Sequence, residues 1–465
     1  MITTLKPTSI LMMLALTIAA CGGTPATSAP TSGSASAPTT TDAPSSDPPA
    51  TDAPATDSQP DETDAPASDA PTSDAPSSDA PSSDAPSSDA PASGEPSGSL
   101  SGDFTLWHTY SSGAGTELDA LNEVLEQVRA ANPELNLEVV EQPFDGVFDR
   151  YGLEVAGGGG PDLFIAPNDS LGQLSRDGTI LALDDYIGDG LSGTLDLAVE
   201  GSQVDGVLYQ VPESLKAVAL YYNADTVTTP PATTDELLAG VQNGDYTVGL
   251  FGSAGGAYHN FGWWGAFGGG LMDETGTCVA DQGGVAEAHQ FLADLQEAGV
   301  TFYPDFADLS DAFKEGEIDM LVDGPWAAGG YVEAVPNLGV APMPAGPGGP
   351  ALPLTGVDGW LVNPTTEDPQ MAVDVALALT SPEAQEIFAN TAYHIPGVEA
   401  VAIDDPISEQ FATAVESGLV RPQNVELNNF WGNFGNALDL VLATGEDPTT
   451  AIADACAAMN EANGK

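Results

Sequence analysis

Beyond residue 103 two hydrophobic periods alternate along the chain. Phe104-Thr-Leu-Trp107 is a short β-type run, with Gly102 before it as a boundary. From Glu117 to Ala131 the apolar residues Leu118, Leu121, Val124, Leu125 and Val128 keep the spacing of an amphipathic helix, which Pro133 ends. Leu135-Asn-Leu-Glu-Val-Val140 returns to period two, as a strand requires. A second helical stretch closes in the glycine run 157–160, and Pro161-Asp-Leu-Phe-Ile-Ala166 reads as the next strand. Further on, residues 285–298 and 371–380 read as helices, Ile318-Asp-Met-Leu-Val322 as a strand, and residues 449–462 as the last helix. This alternation predicts an α/β fold, a parallel sheet with helices on its faces.

Before residue 103 the pattern vanishes. Residues 22–102 are almost entirely Ser, Thr, Ala, Pro, Asp and Gly, with Leu100 as the one large apolar residue. Such a segment buries too little surface to offset the entropy of ordering, so a disordered linker is expected there. Residues 72–91 repeat a pentapeptide ending in Asp-Ala-Pro four times. Regular Pro and Asp favour an extended, self-repelling tether, and the 81 residues of 22–102 would reach roughly 250 Å at ~3.1 Å per residue, or about 50 Å as a coil. Ahead of it, Lys6 precedes an apolar run from Ile10 to Ala20, too short to span a bilayer but suited to a signal peptide over 1–20. Its end, Ile18-Ala-Ala-Cys21-Gly22, resembles a bacterial lipobox, which implies that Cys21 is lipidated and starts the mature chain. The expected location is therefore outside the cytoplasm, anchored by lipid to the outer face of the cell membrane.

Charge changes the picture next. The chain has 8 Lys and Arg against 69 Asp and Glu. From residue 103 onward seven basic residues face 56 acidic ones. Nucleic acid binding, which needs cations to displace counterions, is excluded as a function class. Adhesion to anionic lipid through the protein surface is disfavoured for the same reason. A folded surface this acidic repels itself, and salt screens the repulsion, which fits a salty exterior. Cys278 and Cys456, the remaining cysteines of an exported chain, most simply pair, with free buried thiols as the alternative.

Catalytic motifs do not emerge. His108, His259, His289 and His394 have no metal-ligand spacing, and there is neither a GxSxG elbow nor a phosphate-binding P-loop. No cofactor, metal or catalytic residue is expected, although abundant acids leave a glycoside hydrolase open by residue type.

Four separate stretches carry a resemblance. They are Leu106-Trp-His-Thr-Tyr110; Gly160-Pro-Asp-Leu-Phe-Ile-Ala-Pro-Asn-Asp169; Gly206-Val-Leu-Tyr-Gln-Val-Pro212 with Ala219-Leu-Tyr-Tyr-Asn223; and Phe313-Lys-Glu-Gly-Glu317 leading to Asp323-Gly-Pro-Trp326. In order and separation they resemble the extracellular solute-binding proteins of ABC importers, of the maltose-binding type, across about 103–462. The resemblance implies two α/β lobes joined by a hinge, a periplasmic-binding-protein-like fold in 103–465. Lobe one would be about 103–215 and 358–396, lobe two about 218–354 and 398–465, with crossings near 216, 355–358 and 396–397. It further implies a monomeric receptor, not an enzyme, that captures a sugar or oligosaccharide by lobe closure and hands it to permease subunits.

Sugars in that family lie on aromatic platforms with hydrogen-bond partners at the ring edge, because a pyranose has an apolar face and polar rim. The resemblance places platforms at Trp326 and Trp431, a carboxylate at Asp169, and further contacts at Tyr110, Ser111, His259, Trp264 and Asp358. Lys216 stands where maltose binders place an acid, and Ala166 and Ser170 replace a platform Trp and its neighbouring Arg. A different oligosaccharide, or a ligand with an acidic group for Lys216, is thereby open. Tyr221-Tyr222 also resembles an iron-binding pair, so a receptor for ferric ion or polyamine on the same fold is the alternative.

Overall fold

A computed structural model describes residues 99–110, 116–253 and 255–465. The expected signal peptide, Cys21, nearly all of the linker, and Ser111 lie outside these residues. Two sheets organise the rest. The first runs, in spatial order, Ile395–Pro396, Gln210–Lys216, Leu354–Val362, Leu163–Pro167, Ser101–His108 and Glu134–Glu141, with Leu419–Val420 beside the start of Leu354–Val362. The second runs Leu338–Ala341, Ala219–Asn223, Met320–Asp323, Val248–Phe251 and Thr301–Tyr303. Helix Glu117–Ala131 buries Leu121, Val124 and Leu125 in the core of the first lobe with Ile165, Trp360 and Phe388. Trp263, Trp264, Phe430 and Phe434 fill the core of the second. A disulfide joins Cys278 to Cys456, Cα atoms 5.5 Å apart, and ties a loop of that lobe to the final helix Pro448–Ala462.

Three expectations need correction. The first strand begins at Ser101, and Leu100 before it is buried, so 100–102 belong to the domain and not to the linker. Ser101 and Gly102 pair with Glu134 and Leu135, and a backbone φ of +111° lets Gly102 sit inside the strand instead of ending it. The sheets are mixed, not parallel. Ser101–His108 runs parallel to both neighbours, whereas Leu354–Val362 is antiparallel to Leu163–Pro167 and Gln210–Lys216. A strand that re-enters a sheet from the other lobe is free of the crossover rule that makes βαβ units parallel. Finally, Leu354–Val362 is unbroken, so residues 354–357 stay with the first sheet and the second crossing precedes them.

The chain passes between the sheets at Ala217 and Val218, again between Ala341 and Leu354, and again after Pro396. Helix Pro406–Ala414 packs in a core shared with Val340 of the second sheet. The chain then returns to pair Leu419 and Val420 with Leu354 and Thr355. Lys216, Asp358 and Arg421 therefore all stand at the seam between the lobes.

Candidate functional site

Trp326 is placed by the turn that precedes it. Asp323 is fully buried and accepts hydrogen bonds from the Gly324 N–H at 2.7 Å and the Tyr331 hydroxyl at 2.7 Å. The Tyr221 hydroxyl donates to the Gly324 carbonyl at 2.9 Å. The two peptide groups that flank the Gly324 Cα are thus both pinned, and Pro325 opens the short helical turn that carries the indole. Gly324 leaves the room in which that indole lies: a Cβ there would meet the Trp326 ring at 2.1 Å.

Around that ring an aromatic wall forms. The Tyr258 ring lies 6.2 Å from Trp326 and 6.4 Å from Trp431, measured between centroids. His259 stands behind, edge-on to Trp326 at 6.2 Å and 3.6 Å from Asp323. Trp326, Tyr258 and Trp431 are half-buried.

Two cation–carboxylate pairs meet this wall. Lys216 Nζ is 2.7 Å from Asp358 and 5.8 Å from the Trp326 ring centroid. Asp358 pairs with Ser214 and Gly359 with Pro212, so Glu213 is an extra residue that bulges the Gln210–Lys216 strand beside Asp358. Arg421 pairs with Asp169, and its Nη1 also donates to Asn168 Oδ1 at 3.2 Å. Its guanidinium carbon sits 5.2 Å from the Tyr258 centroid and 5.7 Å from that of Trp431. Burial pushes Arg421 down to about 9, which leaves it charged at neutral pH. Its Nε is buried with no hydrogen-bond partner among the described residues, as is Thr355 Oγ1.

The expected site residues divide. Asp169, Lys216, His259, Trp326, Asp358 and Trp431 are brought together. Trp264 is not: it is 2% exposed, packed with Phe261, Phe430 and Phe434 in the core of the second lobe, because only the first residues of the 258–264 stretch reach the seam. Tyr110 is likewise interior, its ring against His108, Phe388 and His394. The acidic partner imagined for Lys216 on the ligand is already supplied by Asp358. Arg421 was missed. Its one signal was scarcity, a lone basic residue in an acidic C-terminal stretch. The tyrosine pair does not converge: Tyr221 is buried between Tyr331 and Phe411, and Tyr222 faces the other side of its strand, against Gly339.

Nearby, lobe one holds a buried charge cluster. His394 approaches Glu213 at 3.0 Å through Nδ1 and Glu117 at 3.1 Å through Nε2. Burial alone would lower His394, but Glu213 and the hydrogen bonds with Glu117 and Glu213 outweigh it and hold the imidazolium up to about 10. A concavity of about 470 Å³ lined by Thr234, Phe267 and Gln290 lies apart from the wall, in the second lobe. Another of about 450 Å³, lined by Gln203, Asp205, Glu274, Gln423 and Asn424, opens at the segment that carries Arg421.

With this geometry in place, residues 123–415 match the family described as bacterial extracellular solute-binding protein. The chain belongs to that family. This solute-binding protein is 26% identical to the maltotriose-binding protein of Pyrococcus abyssi (strain GE5 / Orsay) over 381 residues, 76% of this chain and 80% of that one. It is 23% identical to the galactooligosaccharide-binding protein of Bacillus subtilis (strain 168) over 377 residues, 74% of this chain and 88% of the other. Among solved structures, the Thermus thermophilus maltotriose binding protein bound with maltotriose superposes with a TM-score of 0.69 at 29% identity, covering 77% of this chain and 100% of that one. The solute-binding protein thus has the two-lobed fold of these receptors.

Proposed function

We propose that this solute-binding protein captures a neutral sugar or short oligosaccharide between its lobes and delivers it to the permease of an ABC importer. One observation carries the reading. Three half-buried rings, Tyr258, Trp326 and Trp431, stand at the seam together with two cations that are each already paired to a carboxylate. Rings offer faces for the C–H side of a pyranose, and paired charges offer donors and acceptors to hydroxyls without a net charge to be matched. The names of the relatives, which concern maltotriose and galactooligosaccharides, support the same class. Titration of the full chain with maltose, maltotriose and a galactooligosaccharide, followed by calorimetry, tests it. Heat from at least one is expected. No binding to any neutral saccharide, or a red chromophore on adding ferric salt, would overturn the reading.

The location is part of the proposal. Lipidation at Cys21 followed by the Pro- and Asp-rich tether would hold the receptor near the membrane while letting it reach outward. The naming of a Streptococcus pneumoniae relative as a solute-binding lipoprotein supports this. Cys21→Ser is expected to move the protein from the membrane fraction to the medium.

A further inference from the structure

We propose that the groove in the second lobe, apart from the seam, docks a protein partner that brings an aromatic or aliphatic anchor flanked by Lys or Arg. The inference does not depend on what the seam binds. The groove, about 470 Å³, is lined by helices Thr234–Asn243 and Val285–Ala298. Its floor is apolar, made of Leu238, Phe267 and Phe291. The two phenylalanine rings stand 5.5 Å apart, and Phe291 meets the buried Trp263 edge-on at 5.6 Å, so the floor is tied to the core of the lobe. Its rim is acidic: Asp235 and Glu287 are exposed and Asp294 is half-buried. Asp294 accepts from the Gln290 side chain at 2.8 Å, and none of the three carboxylates joins an ion pair among the described residues. The remaining wall is the turn 345–347, held at both ends. The Thr234 N–H donates to the Ala345 carbonyl at 2.8 Å, the Ala345 N–H to the Ala232 carbonyl at 2.9 Å, and the Gly348 N–H to the Ala266 carbonyl at 2.7 Å. The groove is therefore preformed, and a partner that enters it has little loop to order.

Charge identifies the occupant. An apolar floor ringed by unpaired carboxylates complements an apolar anchor with cations beside it. Residues 22–465 have none to offer. The segment 22–102 holds thirteen acids and neither Lys nor Arg. The seven basic residues further on are all engaged. Lys216, Lys314, Arg421 and Lys465 pair with Asp358, Asp311, Asp169 and Glu426. Arg129 donates to the Leu137 carbonyl at 2.7 Å, Arg150 to Gln142, and Arg176 to Gln173 at 2.6 Å. A second copy would bring carboxylates to carboxylates, as would the acidic linker, and an anionic membrane surface is repelled. The cations have to come from a different protein.

Fluorescence anisotropy of a labelled hexapeptide of alternating arginine and phenylalanine, titrated with the full chain at about 0.15 M salt so that distant charges are screened, tests the assignment. The wild type is expected to bind it. The same peptide with glutamate for arginine, or alanine for phenylalanine, is expected to bind at least about tenfold more weakly. Neutralising the rim with Asp235→Asn, Glu287→Gln and Asp294→Asn together is expected to weaken the arginine–phenylalanine peptide roughly tenfold, each exposed pair contributing a few-fold. The same charge removed from exposed positions of the first lobe, by Glu123→Gln, Glu126→Gln and Glu138→Gln, should leave its affinity within about twofold. Phe267→Ala, with melting measured alongside, is expected to weaken the peptide about tenfold by opening the floor; should it fail to fold, the rim variant and its control still decide. Equal weakening by the two charge variants would reduce the effect to bulk attraction and overturn the assignment, as would a wild-type chain that leaves the peptide free. Excess maltotriose is expected to change nothing, and displacement of the peptide by it would move the contact to the seam and overturn the groove.

Discussion

Gly324 offers a way to displace the aromatic wall without deleting any ring. Its backbone, at φ −100° and ψ 176°, is extended and accepts alanine without strain. The added methyl, however, would stand 2.1 Å from Cη2 and 2.2 Å from Cζ3 of Trp326, where ordinary contact begins at 3.4 Å. With the turn pinned by Asp323 and Tyr221, the indole is the part that yields, by at least about 1.3 Å. A platform covering ~60–100 Å² of a sugar face contributes roughly 1.5–2.5 kcal/mol. A gap of 0.5–1 Å already forfeits about a quarter to a half of dispersion contact, so a displaced ring should lose about 1 kcal/mol, or roughly fivefold in affinity.

Calorimetry with maltotriose on Gly324→Ala measures this, and a double-mutant cycle locates it. If the methyl acts only through the ring, Gly324→Ala should add nothing to Trp326→Ala. Thermal stability should change little, because the methyl meets a half-buried side chain and alanine restricts the unfolded chain. Unchanged affinity in Gly324→Ala would refute the reasoning, as would the same penalty in the absence of the indole.

Two further outcomes follow from the folded chain. Replacing both Cys278 and Cys456 by alanine should cost roughly 2–5 kcal/mol in urea unfolding, since the bridge closes a long loop between elements of the second lobe; a midpoint that stays put on mutation would show that the bridge constrains little. Stability should also peak near pH 6.5, because two buried histidines are shifted in opposite directions. Burial holds His289 down to about 4, so below pH 6.5 the unfolded chain takes up its proton first and stability falls as pH drops toward 4. His394 is held up to about 10, so stability that is complete below pH 6.5 is lost as pH rises toward 10, by at most about 1.4 kcal/mol per pH unit. Urea unfolding at fixed ionic strength and pH 5, 6.5 and 8.5 checks both limbs, and stability still rising at pH 8.5 would contradict the assignment for His394.

Local pattern was legible and long-range geometry was not. The helices read over 117–131 and 285–298 coincide with Glu117–Ala131 and Val285–Ala298, because a 3.6-residue period and terminal Pro or Gly are written within one window of sequence. The direction of Leu354–Val362 could not be read this way: it depends on where the chain has come from, and that is a property of the whole path. The same contrast divides the site. Asp323-Gly-Pro-Trp326 is contiguous, so its turn chemistry and its ring were visible together. Trp264 carried the same residue type as Trp326 and Trp431, but only packing decides whether an indole faces the seam or the core, and here Phe430 and Phe434 take it inward.

Arg421 marks the limit of sequence reading and shows how the charge of the chain bears on the site. A surface with so few cations has little use for an isolated arginine, and burying one is costly unless its charge is met. Here two of the seven basic residues beyond residue 103, Lys216 and Arg421, are withdrawn from a strongly acidic exterior into the seam, each against a carboxylate and an aromatic face. Surface pairs elsewhere would have screened more of the self-repulsion. Their concentration at the one place where rings from the second lobe meet carboxylates from the first is better explained by recognition than by stability. A neutral polyol needs strong donors and acceptors in a cleft whose charges cancel, and within a chain this acidic, such a cleft can be neutral only if its cations come as partners of its own carboxylates.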